Sequence, residues 1–205
     1  MPLSGRRAQA AVNDERIRAA AREVFIEDPD APVAAVAARA GVGISALYRR
    51  YASKDDLVRA IVGEGLGRYN AAVEEALADD GVVWVAFAGF MERVVVMDLH
   101  ATTLRLAGTF EPTDELNREG RRAGELNAKL FARAREAGAI RADLDVNDLT
   151  FLFEQIAAVR VADPERSRAL RRRYLALTLA AVRSDGDPLP APPPTWQENA
   201  GRWQP

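Results

Sequence analysis

Residues 33–51, VAAVAARAGVGISALYRRY, decide how this chain is read. Val33, Val36, Ala37 and Ala40 recur at helical spacing and mark the buried stripe of a short helix. Gly41 ends it at a position that tolerates a left-handed backbone. After a three-residue turn a second short helix begins, with Leu47 and Tyr51 carrying its apolar stripe. Ser45, Ala46, Tyr48, Arg49 and Arg50 fall mostly on its other faces. Residues 31–54 hold four basic side chains and no acidic one. A short helix with a polar, aromatic and basic outer face behind a tight glycine turn is what a DNA major groove requires. The plainer alternative is an αα-hairpin with a solvated face.

Working outward, the chain of 205 residues has room for one or two domains with a real core. Long Ala/Leu/Arg/Glu segments with few β-branched alternations predict an all-α fold. There is no cysteine, which excludes disulfides, thiolate metal sites and cysteine catalysis. Net charge is −2, so any DNA binding must come from a local basic patch on an acidic body. No long uncharged apolar run and no signal-like N-terminus occur, and the cytoplasm is the expected location.

Upstream of the turn, residues 1–12 read as an arm carrying Arg6 and Arg7, either frayed or reaching toward DNA. A first helix is predicted from about Asn13 to Ile26, capped by Asn13 or Asp14, with Ile17, Ala20, Ala21, Val24 and Phe25 buried. Ser53 caps a long helix from about Lys54 to Ala78. Gly63, Gly65 and Gly67 within it signal close packing or a bend. From Val82 to Leu99 large apolar residues lie on all sides, the mark of a central helix. A short helix is predicted around Thr102–Ala107 and a long one from Pro112 to about Ala137. Two more follow, at about Val146–Val161 and Pro164–Val182. A proline-rich tail with Trp196 and Trp203 closes the chain. No internal repeat is present.

Ile17 to Ile61 resembles the DNA-binding domain of the TetR family of bacterial transcriptional regulators. The resemblance is carried by Ala20, Phe25, Val36-Ala37, Ala40-Gly41-Val42, Leu47-Tyr48, Tyr51, Lys54 and Leu57. The remainder resembles the SbtR-like branch, through Pro32, Gly43, Gly138-Ala139-Ile140-Arg141, Arg173-Tyr174-Leu175 and the prolines from Pro188 to Pro194. Where the family has Gly-Thr this chain has Ser45-Ala46; Ala46 cannot make that threonine's phosphate contact, and Ser45 offers a replacement hydroxyl. The resemblance implies a three-helix DNA-binding domain with a helix-turn-helix, followed by a larger helical domain for effector binding and dimerisation. The expected divisions are 1–56, 57–187 and a tail 188–205. It further implies a homodimer that places two reading helices on a palindromic operator and is released by an effector.

Six residues are candidates for DNA contact. Tyr48 would donate its phenol to a phosphate, and Lys54 would add a point charge at a helix start. Arg49 would fork onto guanine O6/N7; Arg50 would do the same or bind phosphate. Ser45 supplies a hydroxyl and Ile44 a contact for a thymine methyl. Arg39 reads as a solvated side chain. No charge cluster in the region could pair a strongly ionic ligand, so a small, mainly hydrophobic effector is expected. Trp84, Phe87, Met91, Leu104, Phe131 and Phe153 are candidate walls, with His100 and Asn127 as polar contacts. The same aromatics would equally serve as core. Ile156, Val159, Leu170, Tyr174, Leu177 and Ala181 are candidates for the dimer seam. Arg166, Arg168 and Arg171 to Arg173 read as a solvated run paired with Asp163 and Glu165. No paired carboxylates, metal-ligand spacing, nucleophile–base pair or phosphate-cradling loop appears, so neither an enzyme nor a cofactor or metal is expected. The competing readings are a DNA-binding dimer tuned by a protein partner, and an all-α enzyme or lipid carrier.

Overall fold

The computed structural model describes residues 5–98, 102, 106, 108–183 and 187–200. Among these the chain is helical and has no strand. The helices are α1 (Gly5–Glu27), α2 (Val33–Ala40), α3 (Ile44–Arg50), α4 (Lys54–Ala78), α5 (Val83–Val96), α6 (Asp114–Glu136), α7 (Asp148–Ala157), α8 (Pro164–Arg183) and α9 (Trp196–Ala200). His100, Leu104 and Trp203, and the side chains of Arg6 and Arg7, lie outside the described residues.

The turn that opened the argument closes as a double hydrogen-bonded cap. Gly41 sits at φ 65° and donates to Ala38 O, while Val42 N donates to Ala37 O. Only a residue without Cβ takes that backbone at no steric cost. Ser53 caps α4 by accepting from Asp56 N at 3.0 Å, with Asp55 and Asp56 in the first turn facing the helix dipole. Thr113 does the same for α6, which therefore starts one residue beyond it rather than at Pro112.

Two hydrophobic cores share α4. The first gathers Phe25, Val36 and Leu47 with Leu57, Val58, Ile61 and Val62, so it reaches past residue 56 into α4. The second gathers Val73 and Ala76 of α4 with Phe87, Phe90, Met91, Leu130, Phe131, Phe153, Leu175 and Leu179. Each of the Val, Leu, Ile, Phe and Met side chains contributes about 1.5–3 kcal/mol on burial. α6 runs along α4 and ties to it repeatedly. A Cβ on Gly63 would stand 3.2 Å from Leu116 Cδ2, so this glycine serves close packing. Asn70 Nδ2 donates to Glu119 Oε2 at 2.9 Å, and Tyr69 OH donates to Asn127 Oδ1 at 3.0 Å. Arg133 donates to Ala76 O and Leu77 O, satisfying carbonyls at the end of α4.

Three further expectations change. The first helix begins at Gly5, not near Asn13, because Ala8–Val12 are mostly good helix formers and Gln9 donates to Asn13 Oδ1 at 3.1 Å one turn on. α7 stops at Ala157, four residues before the expected end, because α8 claims the next carbonyls: Arg171 Nε donates to Val159 O and Ser167 Oγ to Val161 O. The tail forms α9 through a reciprocal cap, in which Glu198 N donates to Thr195 Oγ1 and Thr195 N to Glu198 Oε2. Asn199 then donates to Asn147 O, holding the tail against the start of α7.

Candidate nucleic-acid interface

α3 is held from below by Leu47, fully buried, and by Tyr51 just beyond its end. That orientation turns Ile44, Ser45, Tyr48, Arg49 and Arg50 to solvent. Ile44 is 40% and Tyr48 51% exposed. Arg49 makes no ion pair or hydrogen bond among the described residues, so its five donors face outward unoccupied.

Arg50 and Lys54 are placed otherwise than expected. Arg50 forks onto Asp14, with Nε 2.8 Å from Oδ1 and one terminal nitrogen 3.1 Å from Oδ2. Lys54 Nζ donates to Pro29 O at 2.6 Å and lies 5.2 Å from the Phe25 ring centre. The ammonium expected on phosphate thus fastens α4 to the loop after α1, because the carbonyl and ring face lie within its reach and Lys54 is only half exposed.

Asp14 is the functional residue that sequence reasoning missed. Its carboxylate also accepts from Tyr51 OH at 2.6 Å and from Arg18 at 2.5 Å. Burial alone would raise its pKa; hydrogen bonds from Arg50 and Tyr51 and the charges of Arg18 and Arg50 overcome that and lower it to about 2. The signal was present: Asp14 precedes Ile17 by three residues, on the buried stripe, where a carboxylate requires partners. On the neighbouring face Glu64 of α4 takes Arg18 Nε at 2.7 Å and Arg22 at 3.2 Å. α3 is therefore braced to α1, and α1 to α4. Arg39 stands on a solvated face as expected, 47% exposed, and pairs there with Glu23 at 2.8 Å.

In the second core the candidate wall residues do come together, but as closely packed rings. Phe87 meets Phe131 edge-on at 6.1 Å between centroids, Phe90 meets Phe153 likewise at 6.1 Å, and Met91 is fully buried between. Trp84 lies at the margin, 6.3 Å from Phe87, beneath the Arg183 guanidinium. Asn127 is half-buried and accepts from Tyr69, whose hydroxyl pKa burial raises. A void beside Val94, Phe153 and Ile156 measures about 10 Å³, room for one water. Of the dimer candidates, Tyr174, Leu177 and Ala181 are exposed and Val159 and Leu170 half-buried. Ile156 is corrected: it is buried within its own subunit, in the second core. Among the described residues no cluster of His, Cys, Asp or Glu could hold a metal, and no helix is long and apolar enough to cross a membrane.

The model of the bacterial regulatory proteins of the TetR family matches residues 17–61. The model of the SbtR-like transcriptional regulator C-terminal domain matches residues 79–184, more than half the chain. The chain belongs to the TetR family. It is a DNA-binding transcriptional regulator with an N-terminal helix-turn-helix domain and a helical C-terminal domain. The solved structure of a TetR regulator from Streptomyces coelicolor is 25% identical and covers 84% of this chain and 99% of its own, with a TM-score of 0.59. LfrR from Mycobacterium smegmatis, solved in complex with proflavine, is 23% identical and covers 87% and 99%, with a TM-score of 0.60. A gamma-butyrolactone receptor is 20% identical and covers 86% and 100%, with a TM-score of 0.56. No curated protein matches the chain. The turn Ala40-Gly41-Val42 and the outward face of α3 thus belong to the TetR helix-turn-helix.

Proposed function

We propose that this TetR regulator is a repressor that binds a palindromic operator as a two-fold dimer and is released by a mainly hydrophobic small molecule. The observation that carries the reading is the outward face of α3. Its base of Leu47 and Tyr51 is locked in the first core while Ile44, Ser45, Tyr48 and Arg49 stand exposed to solvent. Arg49 reads guanine through a bidentate fork, and Ile44 packs on a thymine methyl. Tyr48 and Ser45 hold phosphate. Arg50 acts from its Asp14 anchor, and both it and Lys54 fix the helix in register. Tyr174, Leu177 and Ala181 on α8 supply the dimer seam, joined at its edges by Val159 and Leu170.

Support for a small-molecule effector is the fold shared with the proflavine complex and the butyrolactone receptor. The effector enters beside Trp84, Phe87, Met91, Asn127, Phe131 and Phe153, and must part rings that pack edge-on. α4 belongs to both cores, so movement of its second half is passed to the reading head. A tenfold loss of operator affinity needs about 1.4 kcal/mol of differential binding. The close packing of that core favours one second reading, in which a protein partner rather than a ligand controls the dimer. The protein works in the cytoplasm, where its operator is.

The test is to recover the DNA that the purified protein selects from its own genome and measure binding by fluorescence anisotropy. Arg49→Ala is expected to weaken the selected site by about 1–3 kcal/mol and leave unrelated DNA unchanged. Equal binding of the site by parent and variant would overturn the reading head.

A further inference from the structure

A groove of about 500 Å³ lies between the two domains, outside the reading head and the second core. One wall is the end of α1, at Glu23, Ile26 and Glu27, with Arg39 of α2; the other is the end of α5 and the start of α8. That volume falls in the range of small-molecule sites, about 300–1,000 Å³. Its apolar lining includes Val95, with Val96 and Val161, large side chains left exposed.

The charges are arranged unevenly. Arg171, only 7% exposed, already has its partners: Asp98 Oδ1 at 2.8 Å and Val159 O at 3.1 Å. Arg39 has Glu23. Arg160 donates to Ile26 O at 3.5 Å, crossing from one domain to the other. Arg168 and Arg172 line the groove with no ion pair or hydrogen bond among the described residues. The expected pairing with Asp163 and Glu165 is absent, because Asp163 instead caps the start of α8 by accepting from Glu165 N at 2.9 Å. Arg168 and Arg172 stand four residues apart, so they share one face of α8, and both line the groove. A helix advances 100° per residue, which sets this pair on the opposite flank of α8 from Tyr174 and Leu177. Association through that seam leaves the groove open.

We infer that this interdomain groove binds an anionic amphipathic small molecule, its carboxylate, sulfonate or phosphate held by Arg168 and Arg172 and its apolar body laid along Val95, Val96 and Val161. Two forked guanidinium groups are the side chains best matched to such an anion. The site is separate from the effector site proposed in the second core.

The experiment uses two fluorescent probes of similar aromatic body: anilinonaphthalene sulfonate, which is anionic, and N-phenyl-naphthylamine, which is neutral. Each is titrated into the full chain, into Arg168→Gln/Arg172→Gln and into Val96→Asp, all exposed positions whose folding is checked by circular dichroism. The double variant is expected to bind the sulfonate at least tenfold more weakly and the neutral probe as the parent does; Val96→Asp is expected to weaken the sulfonate as well. Sulfonate affinity unchanged in the double variant, or both probes weakened equally by it, would overturn the assignment. Operator binding by the double variant is a separate readout: it stays at the parent's level whether or not the groove binds the probe, so failure here does not bear on the repressor reading.

Discussion

Replacing Asp14 by Asn tests how the reading helix is held. The substitution keeps the shape of the side chain, removes its charge and turns an amide N–H toward guanidinium donors. In the native chain the carboxyl pKa falls from 3.8 to about 2. By linkage that fall corresponds to about 2.5 kcal/mol of stability. Because the folded pKa is the lower one, this stability is present in full above the unfolded value near 4 and is lost as pH falls through about 2. Asp14→Asn is therefore expected to lose about 2.5 kcal/mol at pH 7, measured by urea unfolding at fixed protein concentration because dimerisation shifts the midpoint. The gap between parent and variant should narrow steadily between pH 4 and pH 2. Operator affinity should fall as well, since Arg50 and Tyr51 lose the acceptor that positions α3. Equal midpoints at pH 7, or a gap that does not change on acidification, would refute the reasoning.

Lys54→Gln should cost about 2 kcal/mol of stability through its lost charge-assisted hydrogen bond and ring contact. It should leave the salt dependence of DNA binding unchanged, whereas loss of a phosphate-contacting lysine lowers the slope by about one. Leu177, 57% exposed, is expected in the dimer seam, so Leu177→Glu should halve the mass seen by light scattering; an unchanged mass would move the seam elsewhere. Asn127→Ala should alter the response to effector while leaving ligand-free operator binding near the parent's, read by anisotropy with and without ligand.

The helix-turn-helix was legible because its signals are local. Gly41 needs a left-handed backbone, Ser53 needs a helix to cap, and the stripe of Val33, Val36, Ala37 and Ala40 repeats within two turns. Asp14 was illegible as a hub because Arg50 and Tyr51 reach it from beyond the turn, and only Arg18, one helical turn on, is local to it. Its identity alone suggests a cap. Lys54 and Arg50 were legible as basic residues near DNA, but not as residues already engaged, since Pro29 and Asp14 are brought to them only by tertiary packing. Ile156 shows the same limit from the apolar side: periodicity marks a face that seeks burial, and cannot tell a neighbouring helix from a second subunit. The basic residues of α8 read as a solvated run because the wall opposite them, at Ile26 and Val96, lies far away in the chain.

The central claim is that the outward face of α3 reads a two-fold symmetric DNA site. Footprinting the full chain on DNA recovered from its own genome tests that most directly. The account predicts protection of two inverted half-sites whose centres lie about one helical turn, or a multiple of it, apart, and its loss in Arg49→Ala at the same protein concentration. A single unpaired protected stretch, or a footprint that Arg49→Ala leaves intact, would contradict it.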